Sequence, residues 1–563
     1  MDINISLSPQ PAYLPAGDAG LPSLSRSVAH GPTTGPRSRV RHRAFRVTSP
    51  LVAPTAPPAA ASPTPRWAKV IDHSRCIGCH ACSTACKSEN EVPLGVHRTY
   101  VKYVDVGRFP QARRAFQVTR CNQCDDAPCV AACPTAAMYR RPDGIVDFDK
   151  RACIGCKACI AACPYDAIFI NPDDHAAEKC NFCAHRLDLG LEPACVVVCP
   201  TQAILVGDLD DPRSIVSRIV HREPVTVRRP EKETRPKLFY KGAHHATLDP
   251  LGAARPDGGL FLWSEQRPGP GRVVAGDPRG GTSSAAALVS FDVPHTIPWD
   301  WRVSLYTWTK GLAAGAYLVP ALLVAFGALD PAGAVWRWLA PVLAAGFLAL
   351  TGGLLLWDLE HPERFYFLFT RPQRRSWLVK GAWIITGYAG VLAAHFTASV
   401  MNVPPAHAIL AVAGIPLAAL TAVYTAYLFA QARARDLWQS PLLPPHLLVQ
   451  AALAGSAALA LAAPAWEPAA REPALWVLAA SALAHLLLVA SESTLPHPTA
   501  HARLAAWEMT GGRYRRFFWA GLALAAAAVA APWLGPAAAV AGLAGLLAHE
   551  HAYVQAGQSV PLA

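Results

Sequence analysis

Acidic residues and long apolar runs are nearly absent from the first 65 residues of the sequence. Only Asp2 and Asp18 are acidic there, in a stretch rich in proline, serine, alanine and arginine. It has neither an apolar core of signal-peptide length nor two adjacent arginines, so no secretory or twin-arginine leader is expected. Such a composition buries too little apolar surface to offset the entropy of ordering. We predict a disordered segment over residues 1–65, with a targeting peptide as the alternative.

Cysteine is absent outside residues 76–199, and that stretch holds all 16 cysteines of the chain. They form four groups of four: group one is Cys76, Cys79, Cys82 and Cys86; group two is Cys121, Cys124, Cys129 and Cys133; group three is Cys153, Cys156, Cys159 and Cys163; group four is Cys180, Cys183, Cys195 and Cys199. Closely spaced thiolates of this kind hold a [4Fe–4S] cluster, and the proline that follows groups two, three and four belongs to the same signature. The pattern therefore predicts these sixteen residues as iron ligands.

The spacing argues against two other uses of cysteine. Disulfides need an oxidising compartment, and cysteines this close along the chain would pair awkwardly. Structural zinc uses two C-x2-C pairs well apart, not a fourth cysteine three residues after the third. Iron–sulfur clusters are thus the cofactor that the cysteine pattern favours.

Short strands are expected before, between and after the cysteine groups, at 67–72, 167–170 and 203–206. The alternation of loop, short helix and strand is the internal repeat of a bacterial ferredoxin, used twice. In two-cluster ferredoxins the fourth cysteine of one run ligates the other cluster, so the groups are expected to work in pairs. We predict an α+β double ferredoxin-like domain over residues 66–241. Residues 242–300, rich in glycine, proline and histidine, are predicted to be a linker.

Three motifs in this domain are specific: Arg120-Cys121-Asn122-Gln123-Cys124, Lys179-Cys180-Asn181-Phe182-Cys183 and Thr234-Arg235-Pro236-Lys237. They resemble the four-cluster iron–sulfur subunits of the dimethyl sulfoxide reductase family of molybdoenzymes. The resemblance implies four [4Fe–4S] clusters. It also implies that groups one and four exchange their last cysteines, as do groups two and three. A separate molybdopterin-containing catalytic subunit is the implied partner.

Polar stripes are missing from the apolar segments that follow residue 301, which argues against a soluble helical bundle. Segments of membrane-spanning length lie near 305–329, 335–357, 378–400, 405–430, 442–464, 473–491 and 516–532, with a shorter one at 533–549. The last two touch at Pro532, so the count is seven or eight. We predict an all-α transmembrane bundle of about eight helices over residues 301–563.

The basic residues of the short loops predict the orientation of this bundle. Ten arginines lie on the side of the cysteine-rich domain, namely Arg364, Arg371, Arg374, Arg375, Arg433, Arg435, Arg503, Arg513, Arg515 and Arg516, and two, Arg337 and Arg471, lie opposite. Because basic loops stay in the cytoplasm, we expect a multi-pass inner-membrane protein with its cluster domain on the cytoplasmic side. The net charge of +12 suits such loops better than nucleic-acid binding, since no aromatic-interleaved basic patch is present.

The run from Asp358 to Phe365, the motif Gly512-Arg513-Tyr514 and the C-terminal stretch 556–562 are similar to the polysulfide reductase membrane-subunit family. That family consists of quinone-reactive anchors of eight helices. The resemblance implies that membrane lipid and quinone are partners of this domain, with quinone as electron acceptor or donor.

Titratable and polar side chains near the cluster side of the bundle are candidates for the quinone site: Lys310, Asp358, His361, Tyr424 and Tyr427. Reduction of a quinone takes up two protons, so such groups should line its pocket. A charge at Lys310 is costly inside a span unless it is paired, and Asp358 could be its partner. The structural alternative is that Lys310 extends to the lipid headgroups and Asp358 pairs with a loop arginine such as Arg364.

The two halves together predict the electron-transfer and membrane-anchor subunit of a molybdoenzyme complex, without a substrate site of its own. Electrons would pass through four clusters between the catalytic subunit and the quinone pool, as in a sulfite or formate dehydrogenase. One alternative is a dimethyl sulfoxide, polysulfide or thiosulfate reductase that runs from quinol to substrate. Another is a cluster-driven ion-translocating module, for which His395, His485 and Glu492 are the ionisable candidates within the spans.

Overall fold

The computed structural model describes residues 64–107, 109–255 and 287–563. Almost all of the segment predicted to be disordered, residues 1–65, lies outside the described residues. The strands are β1 (Trp67–Asp72), β2 (Thr99–Val106), β3 (Arg113–Arg120), β4 (Met138–Arg140), β5 (Val146–Phe148), β6 (Ile168–Ile170), β7 (Ala177–Lys179), β8 (Ile204–Asp208), β9 (Val225–Thr226), β10 (Leu238–Lys241) and β11 (Ala287–Phe291).

Helices divide between the two halves of the described chain. The cysteine-rich half has α1 (Ala81–Glu89), α2 (Pro128–Ala132), α3 (Ala158–Ala162), α4 (Ala184–Leu187), α5 (Ala194–Val197), α6 (Ile215–Arg222) and α7 (His245–Leu248). The apolar half has α8 (Trp301–Ala325), α9 (Ala340–Trp357), α10 (Phe367–Thr370), α11 (Trp377–Val400), α12 (Pro404–Gln431), α13 (Leu443–Ala462), α14 (Arg471–Thr494), α15 (Ala500–Thr510), α16 (Arg515–Val529), α17 (Ala531–Leu534) and α18 (Pro536–Gln558).

Short sheets frame the cysteine loops, as expected of a ferredoxin-like domain. The four-stranded sheet has the order β8-β1-β10-β9, and β4-β5 and β6-β7 form two-stranded sheets beside the cysteine groups. Strand β1 is nearly all buried because it pairs on both edges, antiparallel with β8 and parallel with β10. The three strands expected from the sequence are confirmed, with β6 and β8 within one or two residues of their predicted limits.

The segment predicted as a linker is partly built into the cluster domain. Where it is described, it forms α7 and β11, and β11 joins β2 and β3 in a three-stranded sheet. Val289 pairs with Val104 in this sheet, and both are fully buried. The prediction of a linker was wrong at β11, because a strand of only five residues gives a weak sequence pattern when many glycines and prolines lie near it.

Six described helices are long and apolar enough to cross a membrane: Trp301–Ala325, Val335–Trp357, Trp377–Val400, Pro404–Gln431, Leu443–Ala465 and Pro468–Thr494. The first six of the eight predicted segments therefore agree with the structure. Helices α16 and α18, with 15 and 23 residues, lie on either side of Pro532 in sequence and pack against each other, and the short α17 separates them along the chain. The count of eight is thus approximate.

Small residues let the central helices α8 and α13 approach closely. A Cβ added at Gly315 would lie 1.9 Å from Ala451 O and 2.8 Å from the Cα of Gly455. Helices without a hydrophobic driving force between them associate through such close backbone contact. This packing brings the polar side chains of α8 against those of its neighbours.

Candidate iron–sulfur centres and membrane site

In groups two and three, the first two cysteines lie on a loop, the third lies on a short helix and the fourth follows that helix directly. In group one the last two cysteines, Cys82 and Cys86, both lie on α1, and group four extends over α4 and α5. In group three, Gly155 has a positive φ of 68°, a conformation that side chains rarely adopt. A Cβ added there would also lie 2.3 Å from the Cβ of Glu360. Glycine therefore permits both the tight cysteine loop and the close approach of the apolar half.

Two cavities are each lined by four cysteines from two groups. One is lined by Cys153, Cys156 and Cys159 of group three together with Cys133 of group two. The other is lined by Cys121, Cys124 and Cys129 of group two together with Cys163 of group three. Groups two and three thus contribute their last cysteines to each other's cavity.

Groups one and four approach each other in the same manner. The Asn90 side-chain amide lies 3.7 Å from the sulfurs of both Cys86 and Cys183. Burial raises the pKa of the Cys86 thiol, and the neighbouring Cys180 acts in the same direction. Burial likewise raises the pKa of Cys76, with a contribution from Cys199. The last cysteine of each group therefore lies beside the first cysteines of the other.

Backbone N–H groups donate to several of the sulfurs. Cys199 Sγ accepts from Ala203 N at 3.2 Å, and Cys133 Sγ accepts from Met138 N at 3.4 Å. Cys153 Sγ accepts from Gly155 N and Ala177 N, each at 3.4 Å. All sixteen cysteines are free of disulfides. Four convergent thiols with N–H donors at their sulfurs are a donor set that fits an iron–sulfur cluster, whose potential such hydrogen bonds tune.

Two buried cations lie beside a single cysteine of group four. The Arg120 guanidinium donates to Cys195 Sγ at 2.9 Å, and the Lys69 ammonium lies 3.8 Å from the same sulfur. Burial opposes ionisation of Cys195, yet the charges of Lys69 and Arg120 lower its pKa. Positive charge at this position favours the more negative, reduced form of a cluster bound there.

The cavity of group three lies at the contact between the two halves. Trp299 Nε1 donates to Cys156 O at 3.3 Å, and Arg364 Nη1 donates to Cys153 O at 2.9 Å. Lys157, on the wall of that cavity, places its ammonium 2.9 Å from Glu360 Oε1. This cysteine set is therefore held directly against the apolar bundle.

Lys310 and Tyr424, two of the predicted quinone-site residues, lie together inside the bundle. The Lys310 ammonium donates to Ala422 O at 2.7 Å and to Thr425 Oγ1 at 2.8 Å, and it lies 5.1 Å from the centre of the Tyr424 ring. Lys310 is 1% exposed. The alternative that it extends to the lipid headgroups is therefore wrong.

Asp358 does not form the pair with Lys310 that the sequence suggested. Its carboxylate lies 3.5 Å from the Lys157 ammonium and 3.7 Å from Arg302. Arg364, its suggested loop partner, instead donates to backbone carbonyls of the cluster domain. Burial raises the pKa of Asp358 to about 6, although Lys157 and Arg302 act to lower it. A carboxyl with this pKa can exchange protons near neutral pH.

The other two candidates lie apart from this group. His361 Nε2 is 2.9 Å from Asp174 O, and its Nδ1 is 3.0 Å from Glu363 Oε1, so the ring bridges the two halves. Tyr427 is 39% exposed on the outside of the bundle and stacks on Trp377 at 4.4 Å. The structure therefore brings together two of the five candidates and separates the remaining three.

The sequence reasoning missed Glu550, which is buried on α18 beside α8. Its carboxylate accepts from Thr307 Oγ1 at 2.9 Å, and both residues line a small cavity with His446 and Gln450. The signal was present in the sequence as His549-Glu550-His551 within an apolar run. It was overlooked because the last span was expected to end at residue 549.

Comparison with known proteins agrees with the division of the chain into a cysteine-rich half and an apolar helical half. Residues 113–209 match the family model of a 4Fe–4S dicluster domain, and residues 290–560 match that of polysulphide reductase, NrfD. The chain is 44% identical over 209 residues to a subunit of the tetrathionate reductase of Salmonella typhimurium, covering 36% of this chain and 82% of that protein. The chain belongs to the family of reductase iron–sulfur subunits. Its second half is a polysulphide reductase-type membrane domain.

Two further relatives match the iron–sulfur half. A component of the polysulfide reductase of Wolinella succinogenes is 43% identical over 177 residues, which cover 31% of this chain and 93% of that protein. The arsenate respiratory reductase iron–sulfur subunit of a Shewanella species is 36% identical over 223 residues, covering 31% and 95%. These relatives match less than half of the chain, in its iron–sulfur half. The similarity of the membrane half rests on the polysulphide reductase family model.

Arg120→Gln tests the role of the cation beside Cys195 in this iron–sulfur subunit. Loss of the buried charge should shift the midpoint potential of the cluster beside Cys195 to more negative values. A shift of about 60 mV corresponds to a tenfold change in the equilibrium constant of a one-electron reduction. Potentiometric titration followed by electron paramagnetic resonance measures it. The control variant, Arg120→Lys, keeps the positive charge, so its midpoint potential should stay close to that of the wild type. Equal midpoint potentials in the wild type and Arg120→Gln would contradict the role assigned to Arg120.

Proposed function

We propose that this chain is the electron-transfer and membrane-anchor subunit of a molybdoenzyme complex, linking a separate molybdopterin catalytic subunit to the quinone pool. The observation that carries the proposal is the contact of the group three cavity with the bundle through Trp299 and Arg364. A redox centre there would lie at the exit toward the membrane. Substrate chemistry would belong to the partner, since the two matched families account for electron transfer and anchoring.

The proposed cofactors are four [4Fe–4S] clusters, which carry single electrons when bound. Each cluster would be held by the first three cysteines of one group and the last cysteine of the group paired with it. Group one is paired with group four, and group two with group three. The two cavities of mixed lining support this pairing for groups two and three. The contact of Asn90 with Cys86 and Cys183 supports it for groups one and four.

The proposed quinone site is the interior region around Lys310 and Tyr424, with Asp358 on the route from the cluster domain. Lys310 and Glu550 supply titratable groups where a headgroup would take up protons. Thr307 lies on α8, as Lys310 does, and donates a hydrogen bond to Glu550 on α18. His361 and Tyr427 retain only a structural role in this proposal.

Electron flow in either direction is compatible with this arrangement. Flow toward quinone, as in a sulfite or formate dehydrogenase, is our first proposal because the arginine bias favours a cytoplasmic cluster domain. The second is a reductase that draws on quinol. It is favoured by the names of the relatives, which are subunits of tetrathionate, polysulfide and arsenate reductases.

Iron and sulfide analysis of anaerobically purified protein should give about sixteen of each per chain, as four cubes require. Cys199→Ser should lower the iron content by up to about four atoms, because it removes the proposed fourth ligand of the group one cluster. A wild-type value near eight would contradict four clusters.

Reporter fusions test the proposed orientation. Alkaline phosphatase, which is active only in the periplasm, should be active when fused after Asn402, in the loop between α11 and α12. The same enzyme fused after Pro372, in the loop that contacts the cluster domain, should be inactive. The reverse pattern would overturn the cytoplasmic assignment.

Lys310→Met tests the quinone site against a matched control. It should lower quinone-linked turnover at least about a hundredfold, the usual contribution of a positioned proton-transfer group. Lys380→Met removes a lysine that lies over the Trp377 ring and should leave turnover unchanged. Asp358→Asn should give an intermediate loss. Iron content and elution volume check folding, and wild-type turnover in a folded Lys310→Met protein would reject the site.

A further inference from the structure

Three histidines from three helices converge inside the membrane domain. His446 lies on α13, His485 on α14 and His549 on α18, and each is at most 1% exposed. One ring nitrogen from each lies within 4.8 Å of the others. Residues so far apart in sequence meet only because the three helices pack together, so their convergence is a property of the fold.

Hydrogen bonds account for only part of the nitrogen atoms in this cluster. His446 Nδ1 is 3.1 Å from Glu492 Oε2, and His446 Nε2 is 2.9 Å from His485 Nδ1. Among the described residues, His485 Nε2 and His549 Nδ1 have no hydrogen-bond partner. Buried polar atoms without a partner are rare in proteins and often mark an ion or water site.

Two buried carboxyl groups lie beside the histidines. Glu492 and Glu550 are both buried next to the histidines, and Glu492 Oε1 also has no partner within the described parts of the chain. The neighbouring lysine, Lys310, donates its described hydrogen bonds to α12. A divalent cation among the histidines would stabilise the ionised form of these carboxyl groups, which is otherwise costly to bury.

We propose that His446, His485 and His549 bind one divalent transition-metal ion, with zinc as the best match. Neutral imidazole nitrogen is a preferred ligand of zinc and of neighbouring metals. The bond from His446 to Glu492 is the carboxylate–histidine arrangement that orients a metal ligand. A cavity lined by His446, His549 and Glu550 adjoins the triad and would supply space for a further ligand. The proposal does not depend on the quinone site or on the direction of electron flow.

Metal analysis of the detergent-purified full chain tests this site. The preparation should hold about one zinc per chain, in addition to the iron of the clusters, with tetrahedral coordination. X-ray absorption at the zinc edge should show nitrogen or oxygen neighbours near about 2.0 Å and no sulfur at about 2.3 Å. A sulfur shell would mean zinc in cysteine sites and would overturn the proposal. So would the absence of zinc together with failure to take up added Zn²⁺ or Co²⁺.

Variants separate the triad from other buried histidines. His485→Gln and His549→Gln should each lose the zinc while the iron content stays unchanged. His395→Gln is the matched control, since His395 is fully buried but bonds to Tyr317 and the Trp336 carbonyl; it should keep the zinc. Glu492→Gln, the mildest change, should weaken Co²⁺ binding about 10–100-fold. Zinc retained in folded His485→Gln and His549→Gln proteins would contradict the site.

Discussion

The contact between the loop of cysteine group three and the loop that follows α9 is the constraint on which the rest of the structure depends. Gly155 leaves no room for a side chain because Glu360 occupies that space. Lys157 lies between the carboxylates of Asp358 and Glu360. These contacts fix the cysteine cavity against the bundle, so the proposed redox centre and the proposed quinone site would be held at a constant separation. Efficient electron transfer needs such fixed positions more than it needs motion.

The same contact explains the chemistry assigned to the bundle. Charges inside a span are costly unless they are partnered, and they are retained where function requires them. Lys310 and Glu550 lie on the helices α8 and α18, which pack together below the domain contact, and the close approach of Gly315 and Gly455 fixes α8 against α13. Lys310 and Glu550 are therefore held within one part of the bundle.

Much of this architecture could be predicted from sequence, for local reasons. Cysteine spacing is a local signal, and helix length follows from apolar runs, so the four cysteine groups and six helices of membrane-spanning length were recognisable. Contacts between residues that are distant in sequence could not be predicted. The pairing of Asp358 with Lys157 joins residues 201 positions apart, and β11 could be recognised only through its partner β2. Glu550 was missed since a single charge near the end of an apolar helix gives no indication of its tertiary neighbours.

The most direct test of the central claim is electron transfer between the cluster domain and quinone within this one chain. Protein reduced anaerobically, freed of reductant and mixed with a short-chain quinone would be followed by freeze-quench electron paramagnetic resonance. Loss of the reduced-cluster signal together with formation of quinol is the predicted result, with a much slower loss in Lys310→Met than in Lys380→Met. Clusters that stay reduced while the quinone remains oxidised would contradict a continuous path from the cysteine cavities to the membrane.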